Sequence, residues 1–163
     1  MIEKARESKF LPVFFLPVVE RGSEFPPDTL PLHVTLFPPL QARYDPQFGD
    51  ELRAQLNQHD PFIVKTAGEA YYGPNEDIPT RLLQPSLSMQ GVHALIELAI
   101  GHVLHDETYR RPYRPHISLK NFSDVTPNQS IFIAGLSIVE KHSGGDWVVV
   151  DKVGLKGARD ETR

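Results

Sequence analysis

Two four-residue segments hold the side chains best suited to chemistry: His33-Val34-Thr35-Leu36 and His116-Ile117-Ser118-Leu119. Each sets a histidine two positions before a hydroxyl inside an apolar run. Alternate side chains of a β-strand share a face. His33 and Thr35 are therefore expected to point together, with Phe37 on the same side, and Leu32, Val34 and Leu36 on the other. Likewise Arg114, His116, Ser118 and Lys120 should oppose Pro115, Ile117 and Leu119. Two imidazoles and two hydroxyls around one cleft suit metal-free acid–base chemistry at phosphorus. Histidine can act as base toward an attacking oxygen and as acid toward a leaving one, because its unperturbed pKa lies near working pH. The hydroxyls of Thr35 and Ser118 can donate to the non-bridging oxygens, where negative charge gathers. Lys120 or Arg114 would add a cation there.

The elements that must carry these residues read as short strands and two helices. Phe10 to Val18 is a first strand, with Pro12 and Pro17 suggesting an edge or strand end. Arg21 to Thr29 is a loop, and Leu32 to Phe37 is the strand of the first segment. Asp45-Pro46 opens a helix, since Asp caps well and Pro suits the first turn. Phe48, Leu52 and Leu56 give it one apolar stripe to about Gln58. Phe62–Thr66 and Ala70–Tyr72 read as strand, with a bulge or bend at Gly68. Gly73 to Asp77 is a hairpin-like loop, and Thr80 to Gln84 is another strand. Ser86 or Ser88 caps a second helix, in which Val92, Leu95, Ile96, Ala99, Val103 and Leu104 keep helical spacing. Tyr113–Phe122, Ile131–Val139 and Trp147–Leu155 are strands, the last two joined by a turn at His142–Asp146. The order predicts an α+β fold with mainly antiparallel pairing.

Composition narrows the class. The chain has 163 residues, 40% hydrophobic and 23% charged, and no cysteine, which excludes disulfides and thiolate metal sites. A formal net charge of −4 argues against binding long duplexes by phosphate neutralisation. The first residues are too charged for a signal peptide, and no apolar run approaches the ~20 residues of a membrane span, so a cytoplasmic protein is expected. Residues 1–8 read as a polar lead-in, 9–156 as one domain and 157–163 as a frayed tail.

The paired His-x-Thr/Ser-apolar segments, with their separation and the element order, resemble the 2H phosphoesterase superfamily of LigT-like, 2′-5′ RNA ligase-like proteins. The resemblance covers nearly the whole chain. It implies a bilobal fold of two pseudo-symmetric, mainly antiparallel sheets, helices outside and a central cleft. It implies catalysis by His33 and His116, with His33 as acid and His116 as base in opening a cyclic phosphate, and phosphate binding by Thr35 and Ser118. It also implies a small phosphodiester substrate: an RNA 2′,3′-cyclic phosphate end, a cyclic nucleotide or a 2′-5′ linkage. Many members follow the second segment with Gly or Arg, whereas Lys120-Asn121 stand here.

Other candidates are weighed against plainer roles. Phe15, Phe37, Tyr113 and Phe122 could stack a base, as could Tyr72, although burying apolar area is the commoner job of such rings. His102 and His105 sit at i, i+3 on the second helix without a third ligand in register, so no metal or cofactor is expected. His59, His93 and His142 read as surface residues. A monomer acting on a nucleotide or RNA end is expected, with no membrane partner. The alternative is a non-catalytic module that binds the same ligands in the same cleft.

Overall fold

The computed structural model describes residues 8–72, 75–103, 115–119 and 124–157. Among them the chain runs β1 (Lys9–Phe15), β2 (Glu24–Phe25), β3 (His33–Thr35), α1 (Pro46–Leu56), β4 (Phe62–Tyr72), β5 (Ile78–Leu83), α2 (Leu87–Val103), β6 (His116–Ser118), β7 (Ser130–Ile133), β8 (Gly135–Lys141) and β9 (Trp147–Gly154). The strands follow the order β2-β9-β8-β1-β3-β6-β5-β4-β7, and the recorded strand pairings are antiparallel. The fold is α+β. The nine described strands form one continuous order, with β3 and β6 adjacent near its middle. No described helix is long and apolar enough to cross a membrane.

Both helices start as their sequences dictate. Asp45 accepts a hydrogen bond from the Gln47 backbone N–H at 2.9 Å, with Pro46 in the first turn. Ser86 rather than Ser88 caps α2, its hydroxyl accepting from the Met89 N–H at 3.2 Å. The Phe48, Leu52 and Leu56 stripe of α1 is fully buried. It meets Met89, Val92, Ile96 and Ile100 of α2 and the inward residues Val34 and Ile117 in one core. Burying each such aliphatic side chain contributes about 2 kcal/mol. The helices therefore cover the sheet face that bears Val34 and Ile117 and leave the faces of His33 and His116 clear of that core.

A Tyr44–Asp151–Arg53 cluster locks α1 to the sheet. Asp151 is buried and accepts from the Tyr44 hydroxyl, the Arg53 guanidinium and the Lys152 N–H. Burial and the neighbouring carboxylate push the Tyr44 phenol far above its ordinary range, which keeps it a donor. Gly49 is required here, because a Cβ would lie 2.4 Å from Asp151 Oδ2.

Three elements depart from expectation. The strand expected over Ile131–Val139 breaks at Ala134. Its first part pairs with β4 at one end of the order, and its second joins β1 and β9 toward the other. With one residue between β7 and β8, the strand order must curl. The short β2 lies within the expected loop. The two strands expected over Phe62–Thr66 and Ala70–Tyr72 are one long strand, β4, and the bulge or bend expected at Gly68 is its register shift between Thr66 and Glu69.

Candidate active site

Strands β3 and β6 are neighbours at the centre of the order, and Val34 pairs with Ile117. Antiparallel register then sets His33 opposite Ser118 and Thr35 opposite His116. Each histidine stands beside the hydroxyl of the other segment. The two histidines are diagonal neighbours, a relation that puts Cβ atoms about 7 Å apart. All four side chains share the face turned away from Val34 and Ile117, which are fully buried. Ser118 is exposed, whereas His33, Thr35 and His116 are half-buried.

His33 is held from two sides. Its Nδ1 lies 2.8 Å from the Pro31 carbonyl oxygen, so Nδ1–H donates and Nε2 keeps its lone pair. Phe15, its register partner on β1, meets the ring edge-on at 5.8 Å. Burial lowers the His33 pKa, the Pro31 hydrogen bond opposes that shift, and the charge of His116 lowers it further. The charge of His116 thus bears on His33, whose lowered pKa favours the neutral imidazole at pH 7.

The burial of His33 has a local origin. Val19, Phe25 and Leu30 fold over Leu11, Val13, Phe15, Val139 and Val149 into a second, smaller core. Val13 and Phe15 pair with Thr35 and His33, so this core shares the site's face and walls it on one side. On the other side, β5 sets Leu82 beside His116 and Thr80 beside Ser118. The Thr80 hydroxyl is engaged with the Ile78 carbonyl at 3.0 Å. Tyr72, the last residue of β4, meets the His116 ring edge-on at 4.7 Å. Behind β6, the buried Arg81 pairs in register with Ile117 and donates from Nε to the Val125 carbonyl at 3.0 Å. That bond ties β5 to Val125, ahead of β7.

The remaining candidates separate cleanly. Phe37 does not share the face of His33 and Thr35. The strand ends at Thr35, and Phe37 turns into the main core, 1% exposed and stacked on His93 at 5.0 Å. No face of it is open to a base. His93, expected at the surface, is buried, and its pKa is lowered by that burial against the opposing charge of Glu97. Phe15 is also buried, its ring spent on His33 and Phe25. Lys120, Arg114, Tyr113, Phe122 and His105 lie outside the described residues. His102 pairs with Glu51 across the two helices at 2.6 Å. Among the described residues no group of three or more His, Cys, Asp or Glu is arranged to hold a metal ion.

A groove of about 1020 Å³ opens where β1 and β8 diverge, lined by Phe14, Arg53, Phe132, Leu136 and Lys152 among others. It includes none of His33, Thr35, His116 and Ser118. Pro31, Thr80 and Leu82 carried no signal in the sequence, since a carbonyl acceptor and cross-strand neighbours depend on register.

Comparison with known proteins gives a family and a fold. The family model described as the 2′-5′ RNA ligase superfamily matches residues 21–135, a span that includes both histidine segments. The crystal structure of TT0787 of Thermus thermophilus is similar with a TM-score of 0.65 at 20% identity, covering 93% of this chain and 100% of that one. E. coli LigT in apo form is similar with a TM-score of 0.61 at 13% identity, covering 91% and 98%. LigT complexed with 3′-AMP gives 0.61 at 12% identity, with the same coverage. At these identities the likeness is one of fold. No curated protein matches the chain by sequence at a significant level.

Proposed function

The chain belongs to the 2′-5′ RNA ligase superfamily, the 2H phosphoesterases, and from that premise we propose that it is a metal-independent phosphodiesterase. Its substrate is a small phosphodiester: an RNA 2′,3′-cyclic phosphate end, a cyclic nucleotide or a 2′-5′ linkage. The observation that carries this reading is the Val34–Ile117 pairing, which gives His33, Thr35, His116 and Ser118 one common face.

In the proposed reaction the phosphoryl group sits above that face with Thr35 and Ser118 donating to its non-bridging oxygens. A water attacks phosphorus. His33, neutral and with Nε2 free to accept, takes the proton as the new P–O bond forms. The P–O bond to the leaving oxygen breaks, and the imidazolium of His116 gives that oxygen a proton. This order reverses the one that the resemblance implies. It is supported by the burial of His33, which favours the neutral imidazole, and by the Pro31 hydrogen bond, which holds the proton of that neutral ring on Nδ1 and leaves Nε2 to accept. The crystallised complexes of LigT with 3′-AMP, ATP and NADP+ are consistent with a nucleotide-sized ligand.

The test is a substrate panel run with chelator present: 2′,3′-cyclic mononucleotides, cyclic-phosphate-ended RNA, 2′-5′ oligoadenylate and cyclic dinucleotides. Turnover of at least one is expected, falling about 10²- to 10⁴-fold in His33→Ala and in His116→Ala. Tight binding with no turnover from pH 5 to 9 would make the chain a binding module instead.

A further inference from the structure

We infer that Tyr72 is a positioning residue for His116, holding the imidazole at the angle from which its nitrogen meets the leaving oxygen. The inference rests on the acid–base reading above. The rings lie 4.7 Å apart, centroid to centroid, at an interplanar angle of 69°. That is the edge-to-face geometry aromatic pairs favour.

His116 sits on a strand of three residues, with Thr35 and Leu82 as its cross-strand neighbours. Tyr72 reaches it from β4, with β5 standing between the two strands. Acid catalysis needs the donor held to within about 10–20° of its productive direction. A ring engaged edge-to-face supplies that restraint.

Steady-state kinetics of Tyr72→Phe and Tyr72→Leu on 2′,3′-cyclic AMP and 2′,3′-cyclic UMP test the inference. Tyr72→Phe keeps the ring and should stay within about twofold of the parent protein. Tyr72→Leu should lose about five- to tenfold in kcat, the size of one aromatic pair, by the same factor for both bases and with KM unchanged. A rise in KM that is larger for the purine, with kcat intact, would make Tyr72 a base platform and overturn the inference. Unchanged kinetics would overturn it too. Circular dichroism checks folding, and Tyr72→Met replaces Tyr72→Leu if the latter unfolds. If the parent protein turns over nothing in the panel, the phosphodiesterase reading fails first. NMR of the His116 side chain then decides separately: a single ring orientation in the parent that averages in Tyr72→Leu supports positioning, and an unchanged orientation refutes it.

Discussion

Val34 and Ile117 face each other across β3 and β6, and that one pairing sets the four candidate side chains His33, Thr35, His116 and Ser118 on one face. Both residues are fully buried under the helices, so the register is set by core packing. A slip of one residue in either strand would turn that strand's histidine into the core and its apolar residue outward. The cross-pairing that results, His33 with Ser118 and His116 with Thr35, gives each acid–base group a hydroxyl from the opposite segment.

The hydroxyls should matter to rate more than to stability. Thr35→Val and Ser118→Ala remove one donor each from the oxygens that gain charge in the transition state. Each is expected to lower kcat about 10²-fold. Ser118 is exposed and Thr35 half-buried, so unfolding midpoints should move little. Loss of binding with kcat preserved, measured on a cyclic mononucleotide, would remove them from transition-state stabilisation.

Much of this arrangement is legible from residue order. Asp45-Pro46 and the Phe48-Leu52-Leu56 stripe specify α1 through local capping and periodicity. The alternation in His33-Val34-Thr35 and His116-Ile117-Ser118 places both histidines opposite buried residues. Phe37 shows where parity fails: period-two reasoning holds only while the strand lasts, and β3 stops two residues earlier. The split at Ala134 is hidden because Ile131–Val139 is uniformly β-prone, and only long-range pairing tells which neighbours each half takes. His93 reads as a surface residue because its stacking partner, Phe37, comes from another element.

Stability should fall as pH drops below about 6.5, the unperturbed histidine value. His33 and His93 both have pKa values lowered chiefly by burial. Between the unperturbed value and those lowered values the unfolded chain binds protons that the folded chain does not. Stability therefore rises with pH across that window and is lost as pH falls through it. The melting temperature measured from pH 7.5 to 5 should show the slope, and His93→Asn should flatten it. A slope unchanged in both His93→Asn and His33→Asn would show that other groups dominate.

The Tyr44–Asp151–Arg53 cluster should be a stability determinant. Asp151→Ala leaves the Tyr44 hydroxyl and the Arg53 guanidinium without their shared acceptor, which costs about 3 kcal/mol. Gly49→Ala should be similarly disruptive, since its Cβ would meet both the Tyr44 hydroxyl and Asp151. Denaturant unfolding measures both. The residues lie on the helix side of the sheet, so any folded fraction should keep its KM.

The order of acid and base can be separated by changing the leaving group. A p-nitrophenyl phosphodiester departs as a stable anion and needs no proton, whereas a ribose oxygen does. If His116 is the acid, His116→Ala should be far less damaging on the p-nitrophenyl substrate than on a cyclic nucleotide, by about 10²-fold or more. His33→Ala should be equally damaging on both, because the attacking water still needs a base. The opposite pattern would assign the roles as His33 acid and His116 base. The Pro31 carbonyl would then hold the Nδ1 proton of an imidazolium whose Nε2 proton passes to the leaving oxygen, and the burial around Phe15 would serve to make that acid stronger.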